Sequence, residues 1–116
     1  MKKVKFFDEY FEFLSQKTSS INNSLLMDVA RYIESIKSNN GKIIVAGNGG
    51  SAAIASHVTL DLLKAANIRS INFNESSLLT CFANDYGYEY WVEKAIEFYA
   101  DKNDLVILIS SSGQSA

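Results

Sequence analysis

The sequence predicts an α/β fold built on a parallel sheet, with two helices ahead of it. Three observations carry that expectation. Short, apolar, β-branched runs recur at 42–46, 69–73 and 104–109. Segments of helical periodicity separate them. The first and third runs pass at once into loops rich in Gly, Asn and Ser. Strands alternating with helices imply a layered structure whose parallel strands are joined by right-handed crossovers.

Phe6, Phe7, Tyr10, Phe11, Phe13 and Leu14 repeat at i, i+4 and i+7, the spacing of a helix with a broad aromatic face. A polar stretch at 17–23, rich in Ser and Asn, predicts a break. Leu25, Leu26, Val29, Tyr32, Ile33 and Ile36 then form the stripe of a second helix, so helices are expected over 5–38. Asn39, Asn40 and Gly41 end it with residues that tolerate a left-handed turn. The run at 42–46 is expected to be a buried parallel strand, and the alanines, Ile54, Val58, Leu62 and Leu63 argue for a helix from Ser51 to about Ala66. A second strand is expected at 69–73. Helices are expected at 76–83 and 89–100, split by Asn84, Asp85, Tyr86 and Gly87, and a third strand at 104–109. No repeat, linker or low-complexity segment marks a domain boundary, so 1–116 is expected to be one domain: helices over 5–38 and a sheet-containing part over 42–116.

Composition narrows the function. The chain has 116 residues, 47% hydrophobic and 21% charged, the make-up of a folded protein rather than a disordered or fibrous one. Eleven basic residues against thirteen acidic ones give a formal net charge of -2, which leaves no excess for gripping nucleic acid. No apolar run is long enough to span a membrane, and Asp8 and Glu9 interrupt the apolar start that a signal peptide needs. The single Cys81 fits a reducing compartment. The expectation is a cytoplasmic protein with no nucleic-acid or membrane partner.

In an open parallel sheet, ligands bind beyond the carboxyl ends of the strands, and two loops with distinctive chemistry sit there. Gly47, Asn48, Gly49, Gly50 and Ser51 follow the first strand. Their glycines let the backbone approach a ligand, and the N–H groups at the start of the following helix favour an anion. Ser51 is expected to cap that helix and to offer a hydroxyl. Ser110, Ser111, Ser112 and Ser115, with Gly113, follow the third strand as a neutral nest of donors suited to a phosphate monoester. Neither loop contains lysine, so neither is a Walker-type loop, and Ala52 stands where a dinucleotide fingerprint would place its last glycine. The alternative is that each loop merely turns a strand into a helix.

These motifs, namely 46–53 with His57, then Ala83, Asn84, Asp85, Tyr86 and Gly87, then 109–115, resemble the sugar isomerase (SIS) domain, and within it the phosphoheptose isomerase group. The resemblance implies a flavodoxin-like or Rossmann-like three-layer sandwich of SIS type. It also implies interconversion of sedoheptulose 7-phosphate and D-glycero-D-manno-heptose 7-phosphate through an enediolate. By position it assigns Gly49, Gly50, Ser51, Ser110, Ser112 and Ser115 to the sugar phosphate, Ser111 to a position facing the sugar, and Asn48 and Asp85 to the pocket near the sugar hydroxyls. His57 matches a zinc ligand of the metal-dependent members. Asp61 stands where the family has a glutamate serving as metal ligand and proton shuttle, so His57 and Asp61 are the catalytic and metal candidates. At i, i+4 they share one helix face, but aspartate is shorter by one methylene, and a misplacement of about 1 Å can lower a rate on the order of a hundredfold. Asp61 as an ordinary surface carboxylate near Lys64, and His57 as a partly buried structural histidine, stand beside that reading.

One His and one Asp are too few for a zinc site, so zinc is expected only in a full-length protein that supplies further ligands. The chain is expected to be the front part of a larger SIS domain, needing its remainder or partner subunits for stability. The resemblance implies a homotetramer assembled through the N-terminal helices, whose aromatic face would be interface or core. A non-enzymatic phosphosugar-binding regulatory or assembly protein is the alternative function. Tyr86, Tyr88, Tyr90 and Trp91 are expected to pack the following helix, with sugar stacking as a second reading. Cys81 is expected to be an inert small hydrophobe, and Glu93, Lys94 and Glu97 a solvated face.

Overall fold

The computed structural model describes residues 2–114. The chain divides into two compact units, Met1–Arg31 and Tyr32–Ala116, and the division falls inside a helix where the sequence gives no break.

The first unit contains α1 (Lys2–Ser19) and the start of α2 (Asn23–Ser38). The expected break at 17–23 narrows to three residues, because α1 runs on through Ser19. The Thr18 hydroxyl bonds back to the Leu14 carbonyl, and the Ser20 hydroxyl donates to the Lys17 carbonyl at 2.8 Å, so the polar residues close the helix instead of breaking it. Asn22 then caps α2: its Oδ1 accepts from the Ser24 N–H at 2.9 Å and the Leu25 N–H at 3.4 Å. Every residue from 5 to 31 is exposed, including the aromatic face of α1 and Leu25, Leu26 and Val29.

The second unit holds a three-stranded parallel sheet of order β2-β1-β3, with β1 (Ile43–Gly47) between β2 (Ser70–Asn72) and β3 (Leu105–Ile109). Ile43 pairs with both Ser70 and Leu105, and Gly47 with Ile109. Strand pleating sends alternate side chains to opposite faces. Ile43 and Val45 therefore pack with Ile36, Ala55 and Ile68 on one face, while Ile44 packs with Phe73, Trp91 and Ala95 on the other. Ile43, Ile44 and Val45 have no exposed surface. Both faces are covered, which is why β1 is an unbroken apolar run without alternation. The expected three-layer α/β arrangement is present.

The covering helices are α3 (Gly50–Lys64), α4 (Ser76–Tyr86) and α5 (Trp91–Tyr99), with a 3-10 turn at Tyr88–Tyr90. Buried Thr59 and Ser70 tie α3 to β2: the Ser70 hydroxyl donates to the Thr59 carbonyl at 2.7 Å. Glu75 caps α4, its carboxylate accepting from the Ser77 and Leu78 N–H groups at 3.1 and 2.8 Å. The expected split at 84–87 is corrected to Gly87 alone. Asn84 and Asp85 spend their side chains on each other, at 2.9 Å, along a continuing helix. Only Gly87, at φ 99, adopts backbone that an L side chain resists.

At the amino ends of the strands, Asp104 gathers three donors. Its Oδ1 accepts the Lys42 N–H at 2.8 Å, its Oδ2 accepts the Asp101 N–H at 2.7 Å, and the Lys42 ammonium pairs with it directly. The Asp104 side chain is 3% exposed. Burial pushes its carboxyl up, but the hydrogen bonds from Lys42 and the two backbone N–H groups outweigh this and hold it below the usual carboxylate range. Lys42 is held above its ordinary value, burial being outweighed by Asp101 and Asp104. This clamp joins the start of β1 to the start of β3, at the opposite end of the sheet from the two loops.

Candidate functional site

The carboxyl ends of β1 and β3 open into a cleft of about 340 Å³. Asn48 and Ser51 line it from the loop after β1 and the first turn of α3, Ser110 and Ser111 from the loop after β3, Tyr88 and Glu89 from the 3-10 turn between α4 and α5, and Trp91 from the start of α5. The pairing of Gly47 with Ile109 brings the two loops level. Two loops about sixty residues apart in the sequence thus face one space, as the sheet topology demands. A larger hollow of about 550 Å³ beside β2 is lined mainly by Ile71, Phe73, Leu78, Phe82 and Tyr99 and holds none of the loop serines. The smaller cleft is the chemically equipped one.

The glycines after β1 serve distinct purposes. A Cβ on Gly47 would lie 2.6 Å from the Ser51 carbonyl oxygen, so only glycine lets the first turn of α3 sit this close to the end of β1. Gly49, at φ 56 and ψ -122, turns the chain into the helix. The expected cap on Ser51 is corrected. Gly49 is the N-cap and no side chain caps α3, while Ser51 lies inside the first turn with its N–H donating to the Asn48 carbonyl at 3.0 Å. The Ala52 N–H likewise donates to the Gly49 carbonyl at 3.0 Å, so the uncapped start of α3 offers an anion the Gly49 and Gly50 N–H groups and the Ser51 hydroxyl.

In the second loop, the Ser110 hydroxyl accepts the Gly113 N–H at 3.0 Å and the Ser112 hydroxyl accepts the Gln114 N–H at 3.1 Å, with Gly113 at φ 66. The serines thereby shape their own loop, and the Ser110 hydroxyl, which accepts, still has a proton to donate. Ser115 lies outside the described residues. Among the described residues no lysine or arginine lines the cleft, so the donors found there are neutral.

His57 and Asp61 project together from α3, His57 Nε2 standing 3.5 Å from Asp61 Oδ2. Their side chains are 78% and 66% exposed, and neither lines the cleft. The partly buried histidine weighed as an alternative is therefore not what the fold contains. Among the described residues no group of three or more His, Cys, Asp or Glu lies together. Two donors do not make a protein zinc site, so the described residues do not fit that metal by themselves. Asp85 lies on α4, where it accepts from the Cys81 thiol at 3.5 Å and from Asn84, facing a second hollow rather than the cleft.

Cys81, expected as an inert small hydrophobe, is exposed on α4. Its thiol is pushed up first by the hydrogen bond to Asp85, then by that carboxylate's charge and by burial. Among the aromatic residues near Asp85, Trp91 is buried against Ile44 and Ala95 as expected for packing. Tyr88 is not, since its hydroxyl donates to Asn48 Oδ1 at 2.9 Å. Sequence reasoning did not single out Glu89 and did not see this hydrogen bond. The signal for both is their place just after Gly87, the residue that turns the chain toward the strand ends.

The fold is a three-layer α/β domain whose two strand-end loops share a cleft lined by Ser51, Ser110 and Ser111 together with the Glu89 carboxylate. The SIS domain profile matches residues 5–116, and the chain belongs to the SIS domain family. It is 38% identical over 110 residues to a phosphoheptose isomerase of Helicobacter pylori, covering 90% of this chain and 57% of that protein. It is 36% identical over 107 residues to the phosphoheptose isomerase of Helicobacter hepaticus, covering 87% and 54%. The structure of a phosphoheptose isomerase from Francisella tularensis superimposes with a TM-score of 0.87 at 28% identity, and that from Neisseria gonorrhoeae with 0.84 at 26%. Each match covers 99% of this chain and 64% of the other. The chain thus spans less than two thirds of the length of these relatives.

Proposed function

We propose that the protein is a phosphosugar isomerase that interconverts sedoheptulose 7-phosphate and D-glycero-D-manno-heptose 7-phosphate. The observation that carries this reading is the shared cleft, where Ser51 and the start of α3 meet Ser110 and Ser111 across β1 and β3. The phosphate is held by hydroxyls and N–H groups without a fixed cation. Such a site is selective for a compact anion and releases it readily, as turnover requires. Asn48 and Ser111 lie beside the phosphate donors and are assigned to the sugar. Ser112 and Ser115 keep the roles that the family positions give them, whereas Asp85, which faces the neighbouring hollow, is assigned to the sugar by family position alone.

Aldose–ketose exchange moves a proton between adjacent carbons, so it needs an acid–base group and a donor to the enediolate oxygen. His57 and Asp61 are assigned the proton transfer. Their placement on one face of α3, with His57 Nε2 3.5 Å from Asp61 Oδ2, supports this by putting an imidazole and a carboxylate side by side. A metal-assisted route would need zinc ligands beyond this pair. The exposed apolar faces of α1 and α2 support assembly of the protein as a homotetramer through these helices, and the lone Cys81 is in keeping with a cytoplasmic setting.

The test is conversion of sedoheptulose 7-phosphate by the purified protein, with and without added zinc. Ser110→Ala is expected to raise KM, and Asp61→Ala to lower kcat at little change in KM. Full activity of Asp61→Ala removes that residue from the mechanism. The exposed position of His57 and Asp61 outside the cleft favours one second reading, a regulatory or assembly module that binds the sugar phosphate without converting it. Tight binding with no turnover under either condition would establish that reading instead.

A further inference from the structure

The geometry points to Tyr88 as a positioning residue that fixes the amide of Asn48 for ligand binding, an inference that rests on the phosphosugar reading of the cleft. Tyr88 sits in the 3-10 turn after α4 and Asn48 in the loop after β1, forty residues apart, yet the phenol hydroxyl lies 2.9 Å from Asn48 Oδ1. Oδ1 can only accept, so the phenol donates its single proton. That contact chooses between the two orientations of the amide. With Oδ1 held by Tyr88, Nδ2 donates to no other described residue, and its two N–H groups are left for a ligand. Without the phenol, Asn48 is an exposed side chain on a glycine-rich loop, free to present either its oxygen or its nitrogen.

The choice matters for the ligand. A site presenting N–H groups beside the Ser51 hydroxyl takes the oxygens of a phosphate or of a sugar carbonyl. A site presenting a carbonyl oxygen there repels them. Tyr88 would thus raise affinity without touching the ligand, by removing the amide orientation that binds poorly. It also braces the loop after β1 against the 3-10 turn between α4 and α5, which carries Glu89 into the same cleft. The Tyr88 side chain is exposed and outside both core clusters, so losing its hydroxyl leaves the fold intact.

The experiment is a double-mutant cycle of Tyr88→Phe, Asn48→Ala and the pair, read as the Kd for sedoheptulose 7-phosphate together with the urea midpoint of each protein. One neutral hydrogen bond corresponds to roughly a 2- to 10-fold effect. Tyr88→Phe is expected to weaken binding within that range, with no shift of the midpoint. In the Asn48→Ala background the same change is expected to have no further effect. An undiminished loss in that background, or no loss in Tyr88→Phe alone, overturns the inference. If the unmodified protein binds no sugar phosphate, the phosphosugar reading fails, and the positioning claim is decided separately by NMR. The Asn48 side-chain amide signals of the free protein must then move in Tyr88→Phe, and unchanged signals refute it.

Discussion

Replacing each glycine after β1 by alanine in turn separates the reasons this loop contains glycine. At Gly47 the new Cβ would stand 2.6 Å from the Ser51 carbonyl oxygen and 2.9 Å from Ser51 Cβ, where ordinary contact begins near 3.4 Å. The obstacle is backbone, so the first turn of α3 must retreat by about 0.8 Å from the end of β1. Overpacking of this kind costs about 1–3 kcal/mol, several degrees in melting temperature for a unit of this size. The retreating turn takes Ser51 with it, and loss of one of its hydrogen bonds lowers sugar-phosphate affinity by roughly 2- to 10-fold. Gly49 meets nothing within 4 Å, so Gly49→Ala suffers only from its positive φ, on the order of 1–3 kcal/mol. Gly50 has open space and helical backbone, and Gly50→Ala is expected to stabilise by about 0.4–1 kcal/mol. Urea denaturation and calorimetric titration with sedoheptulose 7-phosphate measure both quantities. A Gly47→Ala protein as stable as the parent, or a Gly50→Ala protein less stable than Gly47→Ala, would refute the reasoning.

The clamp at the other end of the sheet makes stability depend on pH. Asp104→Ala strands the Lys42 and Asp101 N–H groups and leaves the Lys42 ammonium only Asp101, at 2.7 Å, and is expected to cost about 3 kcal/mol near neutral pH by urea midpoint. The Asp104 carboxyl is held below its ordinary 3.8 in the fold, so its contribution is present above that value and is lost as pH falls through the depressed one. Lys42, held above 10.5, contributes fully below that value and loses its contribution as pH rises through the elevated one. The difference between parent and Asp104→Ala should therefore shrink in strong acid; a constant difference down to pH 2 would contradict the assignment. Trp91→Ala removes a side chain 4% exposed that packs on Ile44 and also walls the cleft. It is expected to cost about 3–5 kcal/mol and to weaken sugar-phosphate binding, with Trp91→Phe retaining most of both.

Periodicity and turn chemistry made the element order legible because they are local. The apolar run at 43–46 has no polar position to spare for solvent, which announces a central strand covered on both faces. The loops after β1 and β3 were legible as neighbours on one cleft because parallel strands put their carboxyl ends at one edge whatever the loop sequence. Element ends were less legible. Thr18, Asn84 and Asp85 are residues that break helices when their side chains compete for the backbone, and here they bond along the helix instead. Of Asn40 and Gly41, both suited to a left-handed turn, Asn40 takes the φ of 57, while Gly41 is glycine because a Cβ would strike the Asn103 carbonyl.

By itself the sequence determined the class of fold, the two strand-end loops and the family, since these depend on residue types at fixed spacings along the chain. Only the tertiary structure decided which side chains meet. Asn48 finds Tyr88 forty residues on, Lys42 finds Asp104 sixty-two residues on, and Asp85 turns to Cys81 on its own helix. His57 and Asp61 keep the one-face geometry of their spacing, yet they stand on the open side of α3. The physical reason is that spacing fixes the face of a helix, whereas what that face meets is set by how the sheet and its covering layers pack.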